Sequence, residues 1–189
     1  MGDDAYIGFR TVDNVIHGHV LRCNTFERVQ AFTNPVWTLL MCAASMVTRE
    51  VFFTFFTGLA LQIAISVATI RLVARSSRSA LVGCGIVVAL TLCKAFVDYS
   101  TSGLENPVSH LLVALFVVRY LSDDDLSPRA LRRLMLIASL GLVNRLDLAL
   151  LLGPCVIERA ASAWRRASRP ADRRAAVRAL AVGAAPLFS

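Results

Sequence analysis

VFFTFFTGLALQIAISVATI, residues 51–70, is a run of twenty residues without a charge. Wound as a helix it rises about 30 Å, the thickness of a bilayer's hydrocarbon core. Further apolar runs lie on either side, at 35–48, 80–97, 107–121 and 134–157, with a last one from 175 to 189. Apolar side chains make up 56% of the 189 residues and the mean hydropathy is +0.61, more than the core of a soluble domain of this size requires. The pattern predicts an all-α chain, a polytopic transmembrane helix bundle of about five to six hydrophobic segments, whose partner is a lipid bilayer.

The net charge of +7 does not point to nucleic acid, because the basic residues are not interleaved with aromatics. They fill the loops between apolar runs. Arg71, Arg75 and Arg78 lie in one loop, Arg119, Arg129, Arg132 and Arg133 in a second, and Arg159, Arg165, Arg166, Arg169, Arg173, Arg174 and Arg178 in a third, together 14 of the 20 basic residues. Such loops are held in the cytoplasm. Of the five cysteines, at 23, 42, 84, 93 and 155, four lie inside apolar runs and none forms a CxxC spacing, so neither disulfide nor metal site is inferred. The opening MGDDAYIGFR lacks the basic region and apolar stretch of a signal peptide.

With the loop at 71–78 inside, segment 80–97 leads outward and 107–121 leads back. A single crossing by 134–157 would then expose seven arginines outside and strand Arg145 and Asp147 in mid-membrane. A hairpin of two short helices turning at 144–147 avoids both. Segment 35–48, about 21 Å of helix, is expected to be re-entrant or interfacial. Residues 1–34 are expected to form an extracytoplasmic loop with short interfacial helices, preceding a transmembrane region at 35–189.

This topology gathers three polar groups on the outer side: Asp3 and Asp4, the stretch from Asp98 to Glu105, and Asn144, Arg145 and Asp147. Charges at a membrane edge are costly, so their grouping points to function. Lys94 and Asp98, four residues apart, are expected to pair. His17 and His19 form an HxH pair with no third ligand at suitable spacing, which favours loop packing over a metal. His110 is expected to be a satisfied buried histidine. Trp37 fits an aromatic belt and Trp164 an interfacial anchor.

Three of these elements carry a resemblance. DDAYIGFRTVDNVIHGHVLRCNTFERVQAFTNPVWTLL (3–40) is similar to the first outer loop of bacterial GT-C glycosyltransferases, above all the terminal arabinofuranosyltransferase-like branch, whose stretch runs DDAYI(S/T)FRYA, GHG, NPGE and (E)GYTSPLW. STSGLENP (100–107) resembles that branch's SGLE element, and VNRLD (143–147) resembles its TRPE element. The three occur in the family's order across about 150 residues. Gly8 replaces a Ser/Thr, Thr11 and Val12 replace the YA pair, NTFE (24–27) replaces NPGE, and Leu146 with Asp147 replaces Pro-Glu; Arg145 is retained. Family members have a transmembrane helix before the DD motif and many residues past position 189, so the chain is expected to be a fragment truncated at both ends.

The resemblance implies a GT-C-like fold in a bacterial inner membrane with its active face extracytoplasmic. It implies inverting transfer of a sugar, with a pentofuranose as one candidate, from a polyprenyl-phosphate donor to a cell-envelope acceptor hydroxyl on a glycan, lipid or protein. Asp3 or Asp4 would be the general base, and either could also meet a divalent cation. Arg145 would answer the charge on the departing phosphate, with Arg10 as a second phosphate contact. Glu105 and Asp147 would bind sugar hydroxyls or hold Arg145. Ordinary roles stand beside these: Glu105 as the cap of the following helix, Asp147 as neutraliser of Arg145, Arg10 as a solvated charge. The rival functions are a non-enzymatic multipass protein, such as a transporter or flippase component whose outer charges line a path, and an inactive remnant.

Overall fold

The computed structural model describes residues 3–17, 35–46, 50–122 and 126–188; the side chains of residues 3–7, 16 and 51 lie outside the description. Among the described residues the regular elements are helices and no strand occurs. They run α1 (Asp3–Ile16), α2 (Pro35–Ser45), α3 (Val51–Ser76), α4 (Ala80–Leu92), α5 (Lys94–Ser100), α6 (Asn106–Ser122), α7 (Pro128–Asn144), α8 (Leu148–Arg166) and α9 (Pro170–Gly183), closing on a 3-10 turn at Ala185–Leu187. The chain gathers into two compact units, Met1–Leu111 and Leu112–Ser189.

In the first unit α3 is the long element, at 26 residues. Its Phe52–Ser76 portion is long and apolar enough to cross a membrane; α4 and α5 together qualify as a second such element if the bent pair is one span. The polarity of α3 is inverted relative to a helix in water. Thr54, Gln62, Ser66 and Thr69 are buried, whereas Phe52 is 80% exposed, Phe56 64% and Ile63 47%. A helix on the surface of a soluble protein buries its apolar stripe and exposes its polar one. The buried hydroxyls of Thr54 and Thr69 donate to the carbonyls of Glu50 and Ile65, one turn back in the same helix, so they need no outside partner. Gly58 lies on the same buried stripe, where a Cβ would meet the Met41 side chain at 2.7 Å and the Phe9 ring at 3.7 Å, so α1 and α2 approach α3 closely there. Phe9 also meets Phe55, ring centroids 5.8 Å apart.

Two apolar runs depart from uninterrupted helices. Segment 80–97 breaks at Cys93, whose extended backbone ends α4, and α5 sets off at 69°. The break falls where charge enters the run: Lys94 opens α5 and donates to Asp98 at 2.5 Å, the expected i, i+4 pair, both side chains exposed. Of segment 35–48, Pro35–Ser45 is an 11-residue helix, about 16 Å long.

In the second unit the chain breaks between α7 and α8 at 145–147, within the turn expected at 144–147, and the two helices pack on one another. Leu134 and Ala138 of α7 pack with Leu152 of α8 and Phe116 of α6, with Leu148, Cys155 and Val156 against them. α9 lies along α7 and α8 through small residues, Ala176 and Ala179 packing with Leu131 and Ala163. At Gly183 a Cβ would stand 2.8 Å from the Arg132 carbonyl oxygen and 2.7 Å from Met135 Cβ, closer than real atoms approach, so only glycine admits this contact. The Ser139 hydroxyl, fully buried, lies within hydrogen-bond distance of both the Met135 and the Gly183 carbonyls, at 2.7 and 2.9 Å.

Candidate functional site

The stretch that resembles SGLE is a built turn. α5 ends at Ser100, and the chain reaches α6 through five residues, of which Gly103 takes φ of 86°. That left-handed backbone favours glycine. The turn is clamped from two helices. The Gln62 carboxamide, wholly buried on α3, donates from Nε2 to the Leu104 carbonyl at 2.6 Å and accepts the Gly103 N–H at Oε1 at 3.1 Å. Trp37 of α2, also buried, donates its indole N–H to the Gly103 carbonyl at 3.1 Å. Inside the turn the Ser102 hydroxyl donates to the Tyr99 carbonyl at 3.0 Å and accepts the Leu104 N–H at 3.3 Å.

Glu105 follows directly and stands at the start of α6, where its carbonyl accepts the Val108 and Ser109 N–H groups at 3.0 and 3.1 Å. These are the first backbone bonds of the helix. Asn106, Pro107, Val108 and Ser109 behind it are buried. His110, one turn into α6 and half-buried, stacks on Phe96 of α5, ring centroids 5.1 Å apart and planes at 27°.

Trp37 and Gln62 are the residues whose part the sequence left hidden. Trp37 fits an aromatic belt by position, yet its ring faces inward because the indole N–H has a carbonyl to satisfy. Gln62 is one amide in an apolar run, and a buried amide must find partners or cost dearly. A Gln62→Leu substitution is expected to strand a backbone N–H and a carbonyl, each worth about 1–3 kcal/mol. Ser66→Ala, one turn further along the same buried stripe, removes a hydroxyl without a hydrogen-bond partner among the described residues and is expected to be nearly neutral. Thermal unfolding of the two variants in detergent checks this; equal losses would contradict the clamp.

The DD motif opens α1, with Asp3 and Asp4 its first two residues. Their side chains, and any cation bound by them, lie outside the described residues, as do His19 and the 24–27 stretch. Arg10 is exposed on the same helix, while its neighbours Thr11 and Val12 are buried. The ring Nδ1 of His17 lies 2.9 Å from the Asp13 carbonyl and 3.3 Å from the Asp13 carboxylate, a local contact at the end of α1. Among the described residues no three His, Cys, Asp or Glu side chains are grouped so as to hold a metal ion.

The stretch that resembles TRPE forms the hairpin tip. Asn144, fully buried, ends α7, and the Arg145 N–H returns to the Gly141 carbonyl at 2.8 Å. Arg145 then takes an extended backbone and Asp147 precedes α8. Between the two side chains runs a paired contact: Nε donates to Oδ1 at 3.1 Å and Nη2 to Oδ2 at 2.9 Å. The pair fixes the guanidinium plane, yet the Arg145 side chain remains 39% exposed and that of Asp147 59%. Of the candidate residues, Arg145 and Asp147 are brought into direct contact.

Further along α8 a second polar node ties it to α6. The Tyr120 hydroxyl donates to Glu158 at 3.0 Å, the Ser162 hydroxyl donates to the same carboxylate at 2.9 Å, and Arg159 donates to the Tyr120 carbonyl while lying 4.6 Å from its ring centroid. The hydrogen bonds from Ser162 and then Tyr120 hold the Glu158 carboxyl below its ordinary range.

No protein-family model, curated protein or solved structure matches this chain significantly.

Proposed function

We propose that the protein is a polytopic membrane glycosyltransferase of GT-C type, moving a sugar from a polyprenyl-phosphate donor to an acceptor hydroxyl at the outer face of a bacterial inner membrane. The observation that carries this is Arg145: a guanidinium oriented by a two-point contact, at a helix break flanked by apolar helices, and still exposed. A guanidinium so placed suits the charge that gathers on a departing lipid phosphate. The membrane part of the proposal draws on the inverted polarity of α3 and on the outward apolar surface of α4, where Leu81 is 84% exposed and Leu92 78%. Apolar exposure of that extent calls for hydrocarbon or a partner.

In the reaction the acceptor oxygen bonds to the anomeric carbon as the bond from that carbon to the phosphate oxygen breaks. The hydroxyl proton passes to Asp3 or Asp4, and the lipid phosphate leaves with the electron pair. Attack opposite the leaving group inverts the anomeric centre. Glu105, which directly follows the turn that Gln62 and Trp37 clamp at Gly103 and Leu104, is suited to a sugar hydroxyl.

The test is transfer itself. The protein in liposomes, given a farnesyl-phosphate-linked pentofuranose and an octyl pentofuranoside, is expected to release farnesyl phosphate only when acceptor is present and to give a product of inverted configuration by NMR. Acceptor-independent release, or retention, would overturn the proposal. So would an absence of transfer across pentofuranosyl and hexosyl donors by protein shown to be folded.

A further inference from the structure

The outer stripe of α8 changes chemistry along its length in the order of a membrane's depth profile. Positions 150, 157 and 164 repeat every seven residues and so share one side of the helix. They are Leu150, 86% exposed, Ile157, 69% exposed, and Trp164, 48% exposed. Arginines follow at once: Arg165 and Arg166 in the last turn of α8, Arg169 in the elbow, and Arg173, Arg174 and Arg178 on α9, all exposed. From 160 to 178 there are six arginines and a single acid, Asp172. Among the described residues none of these six takes part in an ion pair.

Packing decides which way this charge faces. α9 presents Ala176, Ala179 and Gly183 to the interior of its unit, which leaves Arg173, Arg174, Val177 and Arg178 outside. The Arg173 guanidinium carbon lies 5.1 Å from the centroid of the Trp164 ring, so the aromatic and the cations form one surface. Tryptophan prefers the boundary between hydrocarbon and headgroups, and guanidinium groups take phosphate oxygens in pairs.

We propose that the α8–α9 elbow is a docking surface for the phosphate headgroups of anionic phospholipid, with Trp164 at the hydrocarbon boundary and Arg165, Arg166, Arg169 and Arg173 at headgroup level. Aliphatic side chains on the same two helices, Ile157 on α8 and Val177 on α9, are exposed and fit the hydrocarbon below a headgroup layer better than a charged phosphate backbone. The inference rests on the membrane part of the proposed function and is independent of the transfer chemistry.

The experiment uses the protein in phosphatidylcholine vesicles doped at equal mole fraction with brominated phosphatidylglycerol or brominated phosphatidylcholine. Quenching of Trp164 is isolated by subtracting the signal of the Trp164→Phe variant. An arginine close to the surface enriches anionic lipid roughly fivefold, so brominated phosphatidylglycerol is expected to quench Trp164 several-fold more than brominated phosphatidylcholine. High salt should erase the preference. The combined Arg165→Gln, Arg166→Gln, Arg169→Gln variant should lose it while Trp37 emission, from the other unit, stays unchanged. Equal quenching by the two lipids, or a preference that survives the triple variant, overturns the inference. An RNA oligonucleotide that displaces phosphatidylglycerol from Trp164 would reassign the patch to nucleic acid. If neither lipid quenches Trp164, the inference falls; if apolar positions on α3 and α4 are also beyond reach of brominated lipid, the membrane part of the proposed function falls with it.

Discussion

Asparagine in place of one of the two α1 carboxylates is expected to lower sugar transfer by about 10²- to 10⁴-fold, the usual worth of a general base, while asparagine at the other costs far less. Asp3 and Asp4 open the same helix, and adjacent positions on a helix point about 100° apart. By register Asp4 stands two turns before Thr11, which is fully buried, and Asp3 two turns before the exposed Arg10. Successive helix positions are not equivalent toward one acceptor hydroxyl. A charge near a helix N-terminus stabilises by about 0.3–1 kcal/mol, too little for its loss to unfold the protein and mimic a catalytic defect. Transfer from the farnesyl-phosphate donor, at matched membrane expression, should show kcat falling in one single variant with little change in KM, and the acid limb of its pH profile should vanish. Normal turnover in both single variants and in the double would end the assignment of the base to this pair.

The helices could be read from residue pattern, but their partners could not. Residues 51–70 announce α3 through length and lack of charge, and the hairpin at 144–147 follows from the cost of stranding Arg145 and Asp147 in hydrocarbon. Both depend on short-range patterns that one sequence contains in full. The clamp on the 101–105 turn joins Gln62 and Trp37 to backbone groups 42 and 66 residues away, and nothing local marks either residue as a partner. The same holds for the Tyr120 to Glu158 contact across 38 residues. At Cys93 the apolar run continues up to the charge at Lys94, so hydropathy alone favours an unbroken helix; the backbone turns there instead. Gly103 takes a φ of 86°, and that turn acquires its meaning from the three hydrogen bonds that Gln62 and Trp37 make around it.

Arg145→Lys is expected to lower kcat for transfer by about 10²- to 10³-fold, the usual cost of removing one donor that meets developing negative charge. Lysine keeps the charge but not the planar fork, so it cannot hold Asp147 on one edge and a phosphate oxygen on another in a single geometry. Asp147 occupies the Nε and Nη2 edge. If Arg145 did no more than pair with Asp147, the outcome would differ. Both side chains are substantially exposed, at 39% and 59%, and an ion pair in that setting is worth about 1 kcal/mol at most. Lysine would then suffice, and Arg145→Leu combined with Asp147→Leu would fold and transfer sugar normally. The Asp147→Asn variant adds a third arm: it keeps one acceptor for the guanidinium, so a positioning role predicts a fall smaller than that of Arg145→Lys. Rates measured with the farnesyl-phosphate donor at matched membrane expression separate these cases. An active double-leucine variant would remove Arg145 from the chemistry, and the proposed function would lose the observation that carries it.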